Sequence, residues 1–300
     1  MKRNLLLALT LLFTLACALP AQFNAETDVT EPVPVIDATS APLADEPLLY
    51  ISGTFHIETQ QWSWPEPDAF IEFVEKTQAL GIRWSISADI GWFNGEPRAA
   101  EVVQRTAALG VQWDIHVHRH QDAAQTAYIL HELGVEPTSV YSGFKIDELD
   151  IISQPVSYQG YDWQPEILWG AVTCPGHRPG CDNDQMGLWR PLNSANYETH
   201  DPNGKFIHLG GGNHQLDEAR ALVEMFANDE ITAPVTSFTL MVAPSTLTIA
   251  KTESGYDEIA AFVAEMDAYP FIRWATIEET AQAWVASGGV PSLVEPILTE

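Results

Sequence analysis

From Leu48 onward, short runs of β-branched and apolar residues alternate with longer stretches of helical period, the signature of β/α architecture. The first predicted strand is Leu49 to Ile57. A helix from Pro67 to Leu80 follows, with Phe70, Ile71, Val74 and Leu80 near one face, and Gly81 stops it. A strand from Ile82 to Ile90 leads through Gly91-Trp92-Phe93-Asn94-Gly95 to a helix from Arg98 to Leu109, closed by Gly110. The third unit has the same layout: Val111 to Val117, Gln121 to Leu133, then Gly134.

After a strand from Ser139 to Phe144 the rhythm loosens. Pro155, Gly160, Pro175, Pro179, Gly180 and Pro191 exclude an extended helix there, although Ile167 to Val172 reads as a strand. Regularity returns with a strand from Lys205 to Leu209 and a Gly210-Gly211-Gly212 turn, which lacks the P-loop lysine. A helix from Leu216 to Ala227, a strand from Ser237 to Val242, a helix from Tyr256 to Met266 and a strand-helix unit from Phe271 to Ala286 complete the pattern. Seven or eight β/α units in about 250 residues predict a single-domain (β/α) barrel over residues 48–300, TIM-like but distorted by an irregular insertion around residues 145–204. A doubly wound open sheet shares the local pattern and stands as the alternative.

The amino terminus changes the picture. Met1-Lys2-Arg3, an apolar run from Leu5 to Phe13 and small residues around Cys17 form a secretory signal over residues 1–21, too short to span a bilayer permanently. Cleavage after Ala18 or Ala21 would yield a secreted protein. Thr14-Leu15-Ala16-Cys17 also resembles a degenerate lipobox, which would place a lipid anchor on Cys17 of a cell-surface or periplasmic lipoprotein. The Pro- and Thr-rich stretch over residues 22–47 then serves as linker. In an oxidising compartment Cys174 and Cys181, flanking Pro-Gly-His-Arg-Pro-Gly, are expected to form a short-loop disulfide. A zinc site with His177 is the rival, on weak spacing.

The formal net charge is −27, from 41 acidic and 14 basic residues. That balance counts against nucleic acid, anionic membrane surfaces and polyanionic substrates as partners, and identifies no substrate.

In β/α barrels functional groups lie at the carboxyl ends of strands. There the sequence has His56 and Glu58 after strand one, Asp89 after strand two, His116, His118 and His120 after strand three, and His208 after a later strand. His116 and His120 with Glu58 or His56 would form a His/His/carboxylate set for a divalent metal, zinc first, with an open position for water. Asp89 or Glu58 is the candidate base and His208 or His118 the candidate acid. Trp62, Trp64, Trp92, Phe93, Trp163 and Trp189 fall in loops or just past strands, and Trp62, Trp92 and Trp189 are candidates to stack on sugar faces beside His118.

Three stretches, Thr54-Phe55-His56-Ile57-Glu58, His116-Val117-His118-Arg119-His120 and Leu188-Trp189-Arg190-Pro191, make the chain resemble the polysaccharide deacetylases of the NodB-homology type. Those have a distorted β/α barrel and a divalent metal. Their motifs are Thr-Phe-Asp-Asp on the first strand, His-(Ser/Thr)-x-x-His on the third and a later Arg-Pro element. The resemblance implies that His116 and His120 bind metal and that Arg190 orients the catalytic carboxylate. It departs where His56 and Ile57 replace the two aspartates, leaving Glu58 as the nearest substitute. Thr239-Leu240-Met241-Val242-Ala243-Pro244 lacks the histidine usual there.

Three functions follow as alternatives. The leading one is an exported metal-dependent hydrolase of carbohydrate, a polysaccharide or amino-sugar deacetylase. The second is a metal-free glycoside hydrolase using strand-end carboxylates such as Glu58 with Asp89, Asp147 or Glu148. The third is a non-catalytic glycan-binding protein on a degenerate barrel.

Overall fold

In the computed structural model of the protein, strand β1 (Leu48–Ile57) separates two cores by simple alternation. Leu49, Ile51, Phe55 and Ile57 enter an outer core beneath the helices, where Phe55 stacks on Trp84 at 4.5 Å and meets Phe70 edge-on at 5.0 Å. Tyr50, Ser52, Thr54 and His56 occupy the opposite face, toward the barrel axis. The structure describes residues 46–58, 66–170, 185–211, 216–242 and 252–294. Cys17, Cys174, Cys181, His177, Trp62, Trp64, the expected signal and residues 22–45 of the expected linker lie outside them.

Helix α1 (Pro67–Gln78) opens with proline at its first position and an acid, Asp68, in its first turn, and buries Phe70, Ile71, Phe73 and Val74. Strand β2 (Trp84–Ala88), the short helix α2 (Ile90–Gly95), α3 (Ala99–Ala108), β3 (Gln112–His116) and α4 (Ala123–Glu132) repeat the unit. Gly81, Gly110 and Gly134 end the three long helices at φ of +104°, +90° and +78°, as the sequence predicts. A side-chain lock recurs as well. Thr77 donates to the Phe73 carbonyl and accepts from the Trp84 indole at 2.9 Å. Thr106 likewise donates to Val102 and accepts from Trp113 at 3.1 Å. Both locks arise from the same string, Thr-x-Ala-Leu-Gly-(Ile/Val)-x-Trp, at residues 77–84 and 106–113.

The expected irregular insertion contains more order than its prolines suggest. After β4 (Val140–Ser142) and α5 (Leu149–Ile152), a hairpin of β5 (Val156–Tyr158) and β6 (Tyr161–Trp163) packs on α4. Strand β7 (Ile167–Trp169) rejoins the barrel, followed by β8 (Leu188–Trp189), a second hairpin of β9 (Pro191–Asn193) and β10 (Asn196–His200), and β11 (Ile207–Leu209). Helix α6 (Leu216–Ala227), β12 (Val235–Met241), α7 (Thr252–Met266), β13 (Ile272–Trp274) and α8 (Ile277–Ala286) complete the chain. The strands run in the order β12, β1, β2, β3, β4, β7, β11, β8, and β13 pairs the amino half of β1. The sheet is parallel except at β8, which runs antiparallel to β11 and approaches β12 to leave a nearly closed barrel. The (β/α) barrel of the sequence reading is therefore present, and the open doubly wound sheet is not. Among the described residues no helix is long and apolar enough to cross a membrane.

The inner core has two halves. Val140, Ile167, Trp169, Leu188, Ile207, Leu209 and Val235 fill one side together with Ile277, Ala281 and Trp284 of α8. The other side, from β12 to β4, is lined by Ser52, Ser85, Ser87, Asp114, Ser142, Ser237 and Thr239, all buried. Helix α8 crosses the amino end of the barrel: the Ile277 amide donates to Ser85 Oγ at 2.9 Å, and Thr280 lies 3.4 Å from Ser52 Oγ. A capping box of Thr276 and Glu279 starts this helix. With the amino mouth filled, the carboxyl mouth is where strand-end side chains can meet.

Two outcomes follow. Thr77→Val or Thr106→Val leaves a buried indole N–H without its acceptor, and each should cost about 1–3 kcal/mol in denaturant unfolding, adding in the double variant. Burial pushes the Asp114 carboxyl up to about 7, against the hydrogen bonds from Thr138 and Gln112 that favour its charge. Protonation is then easier in the folded chain than in the unfolded one. Stability should fall as pH rises from about 4 to about 7, by an amount on the order of 2–4 kcal/mol. Asp114→Asn should flatten that slope; an unchanged slope would show that Asp114 does not cause it.

Candidate metal centre at the carboxyl mouth

Alternation sets the site. On β1 the even positions face the axis, so His56, and Glu58 just past the strand, emerge on the same side. On β3 the same parity carries Gln112, Asp114 and His116 inward, and His118 continues it beyond the strand. The register aligns His56 with Ser87 across β1 and β2, and His116 with Ser142 across β3 and β4.

The result is a carboxylate ringed by imidazoles. Glu58 Oε1 lies 2.9 Å from His116 Nε2, 3.5 Å from His118 Nε2 and 3.6 Å from His56 Nε2. One donor atom from each of His56, Glu58 and His116 falls within 4.8 Å of the others. The His56 and His116 rings are 4.8 Å apart, and those of His116 and His118 are 5.0 Å apart. His116 is buried, His56 and Glu58 are mostly covered, and the His118 side chain is 38% exposed.

Burial alone would favour the neutral acid of Glu58. It is outweighed by the His116 and His118 imidazoles at the carboxylate and by the charge of His56, which together hold Glu58 well below the usual carboxylate range. Conversely, the hydrogen bond to Glu58 raises the His118 pKa, against its partial burial. His118 Nδ1 donates to the Gly143 carbonyl at 3.0 Å, and His116 Nδ1 is 2.8 Å from Ser142 Oγ. His116 Nε2 is enclosed and faces Glu58 Oε1 at 2.9 Å, with no other partner among the described residues. A buried imidazole nitrogen whose one polar neighbour is an anionic oxygen, beside a second imidazole, fits a divalent cation of intermediate softness.

Several expected members of the site lie elsewhere, and each displacement has a physical reason. His120 does not join His116. The chain turns into a 3-10 turn at His120–Asp122, so His120 Nε2 donates to the Gln154 carbonyl at 3.0 Å and its ring packs on Tyr141 in the outer layer. His208 has the wrong parity: Ile207 and Leu209 face the axis, whereas His208 is stacked on Trp189 at 4.3 Å outside it. Tyr197 OH is 2.5 Å from His208 Nδ1, and Nε2 donates to the Gly170 carbonyl. Burial pushes the His208 pKa down to about 3, which favours the neutral ring. Arg190 follows the antiparallel strand β8 and is carried to the amino end of β7 and β11, where it shares a cleft with Gln164, Glu166 and Lys205. There it donates to the Gly204 carbonyl and lies over the Trp284 ring, with no carboxylate partner among the described residues.

The aromatic candidates are likewise internal. Trp92 is buried against Phe93 and Trp113, Trp189 donates to the Tyr197 carbonyl at 2.8 Å, and Trp163 donates to Thr138. None of these three presents a ring face to solvent. Asp89 sits at the end of β2 beside the site, where its Oδ1 accepts from the Trp92 amide at 2.8 Å and caps α2. The sequence reading missed Ser142, Gly143 and Trp169. Trp169 ends β7 with its ring 6.1 Å from that of His56. A signal existed only for Ser142-Gly143, a small hydroxyl and a glycine at a strand end.

No family model matches the sequence, and no curated protein matches it. Two solved structures resemble the fold. A protein named a polysaccharide deacetylase, from Mycobacterium smegmatis, superposes with a TM-score of 0.50 at 11% identity, over 87% of this chain and 96% of the other. A protein named a glycoside hydrolase/deacetylase, from Parabacteroides distasonis, gives 0.56 at 11% identity, over 82% of this chain and 73% of the other. At 11% identity both likenesses show the fold alone, a nearly closed β/α barrel, and this chain carries its own side chains at the mouth.

Proposed function

We propose that this chain is an exported, metal-dependent hydrolase acting on carbohydrate, of the deacetylase kind. The observation that carries the reading is the convergence of His56, Glu58 and His116 at the carboxyl mouth of a deacetylase-type barrel. The names of the structural neighbours support a glycan substrate, and the amino-terminal signal supports export, with Cys17 as the anchor if the lipobox is used.

His56, Glu58 and His116 would hold the ion, and zinc matches two imidazoles and one carboxylate best. Such an ion, when bound, supplies Lewis-acid polarisation of an acyl carbonyl and acidifies a water molecule. The chain's own groups do the rest. The imidazoles around Glu58 hold its carboxyl well below the usual carboxylate range, which suits a ligand better than a proton donor. Asp89, oriented by the Trp92 amide at the adjoining strand end, is the proton acceptor. His118 is the most exposed of the three imidazoles around Glu58. With Nδ1 committed to Gly143, it keeps the proton of its Nε2 for a departing amine. His208 and Arg190 have no part in this scheme.

Two observations weigh against the other readings. The depressed pKa of Glu58 counts against it as the acid of a metal-free glycosidase pair, and the burial of Trp92 and Trp189 withdraws two of the stacking platforms that pure glycan binding would use.

The test is metal content together with acetate release from acetylated amino-sugar oligomers. Wild type should retain about one zinc per chain and release acetate. His116→Ala and Glu58→Ala should each weaken zinc binding by about 100-fold or more, while His120→Ala keeps it. Zinc retained by His116→Ala, or lost from His120→Ala while the chain stays folded, would overturn the assignment.

A further inference from the structure

The end of β4 approaches both inward-facing histidines of β3, and the hydrogen bonds there have a definite direction. Ser87 Oγ donates to the Phe55 carbonyl at 3.3 Å. Ser142 Oγ is 3.4 Å from Ser87 Oγ, within 3.5 Å of the Ile115 carbonyl, and 2.8 Å from His116 Nδ1. Carbonyl oxygens only accept. A chain that ends on them is satisfied when each hydroxyl passes its proton onward: His116 Nδ1–H to Ser142, Ser142 to Ser87 or Ile115, and Ser87 to Phe55. His116 Nδ1 is then the fixed donor to Ser142, so Nε2, 2.9 Å from Glu58 Oε1, carries a proton toward the carboxylate when the centre is empty and would offer its lone pair once an ion took that proton's place.

Gly143 adds a steric half to this arrangement. Its φ is +80°, and a Cβ there would come within 2.9 Å of His116 Cε1, 3.1 Å of Nε2 and 2.9 Å of the Val117 carbonyl. A glycine therefore lets β4 close against the flat of the imidazole. The carbonyl of the same residue accepts from His118 Nδ1, so a single corner orients the Nε2 atoms of both rings toward Glu58 Oε1.

We propose that Ser142 and Gly143 are the positioning residues of the metal centre, with Ser87 behind them: the hydroxyl relay fixes the Nδ1–H tautomer of His116 and the glycine fixes its ring plane. The proposal rests on the metal reading above, and the test separates the two. Zinc affinity is measured by competition with a chromophoric chelator for wild type, Ser142→Ala, Ser142→Thr and Gly143→Ala, with folding checked by circular dichroism. Ser142→Ala should bind zinc about 10–100-fold more weakly, Ser142→Thr should recover most of that loss through its hydroxyl, and Gly143→Ala should bind more weakly than wild type.

Nitrogen-15 NMR of the histidine rings reads the tautomer directly. In wild type a proton of His116 should reside on Nδ1 and exchange slowly with water, and Ser142→Ala should lose that protection. Zinc affinity of Ser142→Ala within twofold of wild type, or a neutral His116 carrying its proton on Nε2, overturns the positioning role. If wild type takes up no zinc, the metal reading fails, and the protection of the His116 Nδ1 proton in the metal-free protein still decides whether the relay exists.

Discussion

Glu58 is a carboxylate kept ionised inside a protein that has largely withdrawn it from water, and the carboxyl mouth is organised around that fact. Burial of an anion is unfavourable unless positive or hydrogen-bonding groups surround it. Three imidazoles do so here, each delivered by a strand whose parity is fixed by the hydrophobic residues on its other face. Shifting β1 by one residue would send Phe55 and Ile57 to the axis and His56 and Glu58 to the helices. The outer core, with Phe55 against Trp84 and Phe70, is what prevents that slip, so the packing beneath the helices positions the candidate chemistry.

The same parity explains what could be read from the sequence. The first three β/α units are legible almost residue by residue, because amphipathic helices end at glycines and pass directly into β-branched strands. His56 with Glu58, and His116 with His118, are two apart, and period two was the informative spacing. The four-residue spacing of His116 and His120 pointed elsewhere, since the chain leaves the strand before His120. Neither the direction of β8 nor the outward parity of His208 is encoded locally. The two residues of β8 have too little pattern to show which way the strand runs, which displaces Arg190, and the three of β11 have too little to show parity, which displaces His208. The tryptophans were misread because a large ring in a loop-like stretch is as compatible with an inner layer as with a surface.

The barrel interior also departs from the apolar filling expected of a (β/α) barrel. Serines and threonines line the side that bears the histidines, while the apolar residues and α8 fill the other. This division places hydroxyls within reach of His116, and Ser142 is the one that touches it. A polar lining of this kind costs stability wherever a hydroxyl lacks a partner, as Ser237 and Thr239 do. On the side of β3 and β4 the hydroxyl of Ser142 instead meets His116 Nδ1 at 2.8 Å.

The most direct measurement of the central claim is anomalous diffraction at the zinc edge from crystals of the full chain grown with zinc. The account predicts one strong peak bounded by His56 Nε2, His116 Nε2 and a carboxylate oxygen of Glu58, with His120 still bonded to the Gln154 carbonyl. A peak at His120 or at the Cys174 and Cys181 loop, or no peak at the barrel mouth, would contradict it.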